Sequence, residues 1–238
     1  VLFPGVVIPI TVGRDKSIRL IQDANKGNKT VGVVSQVNPD IDEPVFEDLH
    51  TIGTQATIMR MLKMPDGSTT VILQGKKRFE VTELLSSDPY FMAKVKDFPE
   101  INRDSGSKEQ QALFESLKET SVKIIQLNPE IPSEASMAIK NINGLSFLTN
   151  FISSNMKIAT AEKQSLLELA DLQARASKAL ELLNKELQML EMKNEIQRKV
   201  HTDISKQQRE YFLHQQMKQI QDELGANPLK EEIEEKKK

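Results

Sequence analysis

The sequence predicts an α+β fold in which a small β pseudo-barrel precedes a helical bundle and a long projecting α-helix. Eight of the ten glycines lie before residue 107, and none occurs over residues 145–224. No proline occurs over residues 133–227. Segments without glycine and proline favour long helices, whereas segments rich in both suit short strands and turns. We therefore expect a β-rich lobe at residues 1–100, a helical lobe at 107–170, a long helix at 171–225 and a charged tail at 226–238.

The β-rich lobe is expected to contain about six short strands and one helix. Valine and isoleucine dominate several short runs, and apolar residues alternate with lysine over residues 91–96. Pro65-Asp66-Gly67 is a strong turn signal and predicts a hairpin. A helix at residues 15–26 would end at Gly27. We expect strands at residues 6–12, 30–37, 52–64, 69–73, 78–82 and 91–96, which favour a partly closed barrel.

Helix signals dominate the second half of the chain. Ser107 followed by Gln110 forms a capping-box pattern, and Thr160 is expected to cap a further helix. From residue 171 onwards no helix breaker occurs before Gly225 and Pro228. An unbroken helix of that length would extend about 80 Å, whereas the preceding lobes would span only about 40 Å. Part of the helix is therefore expected to project and to need another partner.

Two apolar seams run along the long helix. Leucines at 180, 183, 187 and 190 follow a 3–4 spacing, and a second such seam begins at Leu213. The two seams are rotated by about 120°, so we expect them to bury against different partners. The candidate inter-domain or inter-subunit contacts are Tyr211, Phe212, Leu213, Met217 and Ile220. A structural coiled-coil spacer through the first seam is an alternative interpretation.

Composition excludes several classes of function. The formal net charge is −2, without a basic excess in any segment, which disfavours a dedicated nucleic-acid binder. The absence of cysteine excludes thiol catalysis and iron–sulfur clusters. The three histidines show no metal-ligand spacing, and no phosphate-loop, hydrolase or metalloprotease motif occurs. Residues 1–12 form the longest uncharged apolar stretch, which is too short to cross a membrane. We therefore expect no enzyme activity, no metal site and no cofactor in this chain.

Two features leave alternatives open. The basic residues Lys76, Lys77 and Arg78 follow a predicted strand and belong either to a solvated turn, which we favour, or to an RNA-binding barrel. Met59, Met61 and Met64 lie on or near the predicted hairpin. Methionine commonly fills gaps in a core, which is the interpretation that we favour, and it also recurs on adaptable binding surfaces.

Several segments together resemble the amino-terminal domain of Lon proteases. The resemblance starts at VLFPGVVIPITVGRDKSI and continues through DEPVFEDLHTIGTQATIMRMLKMPDGSTTVILQGKKRFEV. It extends through EKQSLLEL, LLNKELQMLE and QREYFLHQQMKQIQDELG. The motifs occur in the family's order over nearly the whole chain. The resemblance implies a PUA-like pseudo-barrel, a helical lobe and a long helix that leads into an AAA+ ATPase module.

The same resemblance implies a role in a larger enzyme. Proteases of this family are hexamers that require ATP and Mg and that cleave with a Ser–Lys dyad. The resemblance implies that the phosphate-binding motif and the dyad lie beyond the end of this chain. The chain would be a non-catalytic region that recognises unfolded or damaged proteins in the bacterial cytoplasm or, alternatively, in the mitochondrial matrix. Because such recognition needs adaptable apolar surface, the candidate substrate contacts are Leu2, Phe3 and Pro4 at an exposed start, with Met59, Met61 and Met64.

Overall fold

A computed structural model describes residues 1–65, 68–103 and 105–223. The chain contains two compact units, Val1–Leu187 and Gln188–Lys238. The strands are β1 (Val7–Val12), β2 (Thr30–Val33), β3 (Ile52–Lys63), β4 (Thr69–Ser86) and β5 (Met92–Asp97), with a 3₁₀ turn at Phe46–Asp48. The helices are α1 (Asp15–Lys26), α2 (Lys108–Leu127), α3 (Ala135–Asn141), α4 (Leu145–Asn155), α5 (Thr160–Glu168) and α6 (Leu172–Glu223).

The strands form one antiparallel sheet in the order β1-β4-β3-β2, with β5 paired to the second half of β4. The sheet is open, because among the described residues β1 and β2 lie at opposite edges and do not pair. The expected α+β class, with an antiparallel sheet followed by helices and a long final helix, is confirmed, and over the described ranges the sheet does not close into a barrel. The two strands expected at residues 69–73 and 78–82 are one strand, β4.

Gly75 explains why β4 continues where the sequence suggested a break. The Gly75 N–H donates to the carbonyl of Val6 at 2.9 Å, and its own carbonyl accepts from Gly5 N–H at 3.0 Å. A side chain at position 75 would overlap the carbonyl oxygen of Phe3. The glycine thus permits the close approach of two backbones and does not mark a turn.

Helix α1 covers one face of the sheet. Helix α1 confirms the predicted range of residues 15–26, and its Ile21 is buried in a cluster with Val31, Ile58 and Val71. Val31, Ile58 and Val71 alternate with more exposed neighbours along their strands, which indicates one packed face in this part of the sheet, whereas residues 52–54 of β3 are buried in succession. The opposite face carries the candidate site described below.

The start of the chain lies inside this core. Leu2 is 2 % exposed and Phe3 is fully buried. The carbonyl of Leu2 accepts a hydrogen bond from the Thr54 hydroxyl at 2.6 Å, which fixes the segment against β3. The expectation that these two residues form an exposed contact surface was wrong, because their apolar side chains complete the core beside β3 and β4. Pro4 is half-buried, and its carbonyl accepts from the Asn150 amide at 3.2 Å.

The helices begin close to the predicted positions. Ser107 accepts the N–H of Gln110 at 3.1 Å, whereas the Gln110 side chain donates to Asn102 at 2.7 Å, so one half of the predicted capping box forms. Thr160 is the first helical residue of α5 and not its cap. Helix α6 runs without interruption for 52 residues. The turn residues Asp66 and Gly67, the helix stop at Gly225 and Pro228, and the tail at 226–238 lie outside the described residues.

Candidate functional site

The outer face of the sheet, opposite α1, is assembled by the register of three strands. Pro9 of β1 is paired with Ile72 of β4, which is paired with Arg60 of β3. The next row on the same face contains Thr70 and Leu62. Paired residues in an antiparallel sheet project to the same side. The register therefore places apolar side chains from β1, β3 and β4 next to one another on a face that α1 does not cover.

The β3–β4 hairpin extends this surface. A register shift between Ile58 and Arg60 leaves Met59 without a paired residue, and Met59 is 57 % exposed. Such a bulge puts an additional residue into one strand and redirects its neighbours. Met64 is 44 % exposed and lies one residue beyond the end of β3, two positions after Leu62. We call Pro9, Met59, Leu62, Met64 and Ile72 the hairpin patch.

The structure separates the predicted contact residues into two groups. Met59 and Met64 belong to the hairpin patch, whereas Met61 is half-buried and packs on the sheet core. Leu2 and Phe3 lie in the core and are not part of any surface. Sequence reasoning missed Leu62, although alternation with the core residue Met61 would have placed it on the opposite side of the strand.

Other members of the patch were also missed. Pro9 and Ile72 lie in segments that were interpreted only as strands. Pro9 alternates with the half-buried Ile8 and Ile10, which is the pattern that indicates an outward position. Ile72 is half-buried between buried Val71 and Leu73, so its outward position depends on the register between strands. Local alternation does not supply that register.

The basic cluster at residues 76–78 has a structural role at its third position. Arg78 is 4 % exposed and donates to the carbonyls of Leu167 at 2.8 Å and Leu169 at 2.7 Å. Its guanidinium also lies 5.0 Å from the ring centre of Phe98. Burial, aided by the nearby charge of Arg175, lowers the pKa of Arg78 to about 10, and Glu100 opposes this shift. Arg78 thus ties β4 to the segment that connects α5 and α6.

The two lysines of the cluster are also engaged. Lys77 pairs with Asp97 at 2.6 Å, and Lys76 donates to Gln74 at 2.6 Å. The three residues lie within β4, so the favoured interpretation as a solvated turn was wrong. In the alternative, an RNA-binding barrel, the part assigned to Arg78 was wrong, because its guanidinium is buried under backbone carbonyls.

A second ionic contact joins the same regions. Arg175 of α6 is 1 % exposed, pairs with the carboxylate of Glu100, and donates to the carbonyl of Leu169 at 3.0 Å. The Ser146 hydroxyl donates to Glu100 at 2.8 Å. Buried cations require such partners, because an unpaired charge in the interior is costly. These contacts stabilise the junction between the sheet and the helices within unit 1.

The long helix carries the remaining candidates. Tyr211, Phe212, Leu213, Met217 and Ile220 are each more than half exposed, and all lie in the second unit. The Tyr211 hydroxyl accepts from the Gln215 amide at 2.9 Å. This part of α6 thus presents apolar side chains without burying them.

The first leucine seam is used differently. Leu183 is 3 % exposed and contributes to the wall of a cavity in the helical lobe, whereas Leu180, Leu187 and Leu190 are half-buried. The alternative interpretation of residues 180–190 as a free coiled-coil seam is therefore wrong for Leu183. The helical lobe already buries this position.

Two features are absent from the part of the chain that the structure describes. Within residues 1–65, 68–103 and 105–223, no group of three or more histidine, aspartate or glutamate side chains is arranged to hold a metal ion. Over the same ranges, no helix has the length and apolar character needed to span a membrane.

Comparisons with known proteins point to one family. Residues 1–185 match the family model described as the ATP-dependent protease La (LON) substrate-binding domain. A Lon protease from Flavobacterium johnsoniae is 56 % identical over 235 residues, which is 99 % of this chain and 29 % of that protein. A Lon protease from Cytophaga hutchinsonii is 51 % identical over 98 % of this chain and 29 % of its own length. The chain thus spans less than a third of these relatives.

Solved structures support the same fold. The amino-terminal domain of the Mycobacterium avium complex Lon protease has a TM-score of 0.63 at 19 % identity and covers 77 % of this chain and 92 % of its own. A Lon amino-terminal domain protein from Xanthomonas campestris has a TM-score of 0.54 at 19 % identity, with 76 % and 91 % covered. At this identity the likeness concerns the fold.

Proposed function

This chain belongs to the family of ATP-dependent protease La (LON) substrate-binding domains, and from that membership we propose that it is the non-catalytic substrate-recognition and assembly region of a Lon-like protease. Its substrates are unfolded or damaged proteins, which expose apolar segments that folded proteins bury. The hairpin patch captures these segments. The catalytic and ATP-hydrolysing residues belong to the remainder of a longer protein.

The observation that carries this proposal is the position of three exposed apolar side chains on one hairpin. Met59, Leu62 and Met64 are 57 %, 40 % and 44 % exposed on the sheet face opposite α1. Clustered apolar exposure on a soluble fold marks interaction sites, whereas scattered apolar residues do not. The unbranched thioether of methionine adapts to partners of different shape. A surface of this kind suits a recognition domain that meets many sequences.

Charge contributes little to this mode of capture. The formal net charge of the chain is −2, and the five members of the hairpin patch carry no charge, although Arg60 lies in the same row of this face as Ile72. Attraction between exposed charges is screened within about 10 Å at 0.1 M salt, whereas burial of apolar surface is not weakened by salt. Capture by the hairpin patch is therefore expected to persist at high ionic strength.

The test of this proposal is a comparison of one protein in its folded and its denatured forms. The denatured form is expected to bind the chain at both 0.05 M and 0.5 M salt, and the folded form is not. Binding of both forms, or binding of the denatured form that disappears at 0.5 M salt, would contradict apolar capture.

The long helix provides the link to the rest of the protein. Tyr211, Phe212, Leu213, Met217 and Ile220 contact the ATPase module or a neighbouring subunit, which accounts for their exposure in this chain. The complete protein is a hexamer that uses ATP and Mg through its other modules. Because the relatives named above come from bacteria, we place the protein in the bacterial cytoplasm. Serine substitutions at Tyr211 and Phe212 in the complete protein are expected to weaken hexamer assembly, as measured by sedimentation.

A further inference from the structure

The helical lobe contains a second concave apolar site, separate from the hairpin patch. A cavity of about 250 Å³ lies between α2, α3, α4 and the first part of α6. Its buried wall is formed by Ile124, Ile139, Ile152, Met156 and Leu183. An apolar protein cavity of about 150 Å³ already accommodates benzene. The cavity is therefore large enough to take one aliphatic or aromatic side chain.

Charged groups lie at the edge of this cavity, and only some of them have a hydrogen-bond or ion-pair partner. Lys157 pairs with Glu130 at 2.6 Å. Lys163 lies nearby and donates to the carbonyl of Ser154 at 2.7 Å. Glu186 also lines the cavity and is half-buried, yet within the part of the chain that the structure describes it accepts no hydrogen bond and forms no ion pair within 4 Å.

The electrostatic state of Glu186 agrees with this unequal arrangement. Burial raises the pKa of the Glu186 carboxyl, and the more distant charges of Lys157 and Lys163 only partly oppose that shift. A half-buried carboxylate without a donor is stabilised by any cation that reaches it. The edge of the cavity is thus complementary to a positively charged group that enters together with an apolar one.

We propose that this cavity is a second polypeptide-binding site, which takes one large apolar side chain and pairs Glu186 with a neighbouring lysine or arginine of the bound segment. The inference rests on the proposed function, since it assigns the helical lobe a part in substrate recognition. It adds a preference that the uncharged hairpin patch does not have. The cavity is expected to bind a segment in which a basic residue follows the apolar one more tightly than a segment in which a neutral residue follows it.

The two sites can be observed separately in the same sample. Isoleucine δ1 methyl groups at 124, 139 and 152 report on the cavity, whereas the methionine ε methyl groups at 59 and 64 report on the hairpin patch. The probes are three unstructured ten-residue peptides that differ only in a central Leu-Arg, Leu-Gln or Ser-Arg pair. We expect Leu-Arg to shift the isoleucine signals most strongly, Leu-Gln less, and Ser-Arg not at all.

Two variants test the geometry. Ala138 lines the cavity from the exposed side of α3, so Ala138→Leu fills the opening and is expected to weaken Leu-Arg binding at least about tenfold. Ala161→Leu on the exposed face of α5, outside the cavity, is the matched control. Glu186→Gln is expected to weaken Leu-Arg binding about fivefold, the effect of one partly exposed ion pair, and to leave Leu-Gln binding unchanged.

The outcomes distinguish this inference from the proposed function. If the methionine signals shift and the isoleucine signals do not, the cavity site is wrong and capture by the hairpin patch stands. If neither set shifts, both are wrong. If Glu186→Gln weakens Leu-Arg and Leu-Gln equally, the charge preference is wrong. The peptide series is measured on the unmodified chain, so its result holds even if Ala138→Leu disturbs folding.

Discussion

Replacement of Arg78 by methionine tests whether the junction between the sheet and the helices depends on this buried cation. The carbonyl of Leu167 would lose a donor at 2.8 Å, and the contact with the Phe98 ring would be lost. The carbonyl of Leu169 would keep its bond from Arg175 at 3.0 Å. An unsatisfied buried carbonyl costs about 1–3 kcal/mol, and a buried cation–π contact contributes about 1–2 kcal/mol. Methionine retains most of the volume, so little cavity cost is added.

Removal of a cation whose pKa is lowered by burial and by Arg175 offsets part of this loss, so we expect Arg78→Met to reduce the free energy of unfolding by about 1–2 kcal/mol. Urea denaturation followed by far-ultraviolet circular dichroism measures this change. Lys77→Met is the matched control, because Lys77 is exposed, pairs with Asp97 across β4 and β5, and should change stability by less than about 0.5 kcal/mol. Equal effects of the two substitutions would refute the assignment of Arg78 as the buried tie.

Three further substitutions test other parts of the structure. Gly75→Ala places a methyl group against the Phe3 carbonyl and is expected to lower the melting temperature by more than about 10 °C. In the control Gly13→Ala, the new methyl group meets no atom within 4 Å, and the melting temperature should change by less than about 3 °C. Similar shifts for the two variants would contradict the close approach of the two backbones. Burial raises the pKa of the Glu186 carboxyl, so its charged form destabilises the fold. Glu186→Gln should therefore increase the free energy of unfolding at pH 7 and not at pH 3.5, where the carboxyl is protonated. A loss of stability at pH 7 would contradict this expectation. Ser107→Ala removes the cap of α2 and should cost about 1 kcal/mol in urea denaturation, and no loss would mean that the cap is dispensable.

The local elements of the fold could be predicted because their signals are local. The helix at residues 15–26 and the cap at Ser107 were assigned from periodicity and capping residues alone. The 52-residue helix α6 follows from a segment free of glycine and proline. In each case the residues that determine the element lie within or beside it.

Features that depend on long-range contacts were predicted less well. The strands at residues 69–73 and 78–82 were predicted as separate because nothing local shows that Phe3 lies against Gly75. Leu2 and Phe3 were placed at the surface because a chain start is usually exposed, and the pairing of the first residues with β3 and β4 is not encoded nearby. Arg78 was assigned to a solvated turn because its partners, the carbonyls of Leu167 and Leu169, are about 90 residues away in sequence.

The candidate site shows the same division. Residue type left Met59 and Met64 between the core and an adaptable surface, and the favoured interpretation as core residues was wrong for both, because they are 57 % and 44 % exposed. Ile72 required the strand register, which determines the residues that share a face, whereas alternation with Met61 would have sufficed for Leu62. The bulge at Met59, which exposes two consecutive positions, depends on the pairing between β3 and β4.

The most direct test of the account is the affinity of a denatured protein for the double variant Met59→Ser/Met64→Ser. Full burial of a methionine side chain contributes about 1.5–3 kcal/mol, so burying the exposed half of each contributes about 1 kcal/mol. Loss of both is expected to raise the dissociation constant about thirtyfold. The control Met92→Ser/Met137→Ser changes two equally exposed methionines outside the hairpin patch and should alter the constant by less than about threefold. Equal affinities of the two double variants would contradict capture by the hairpin patch.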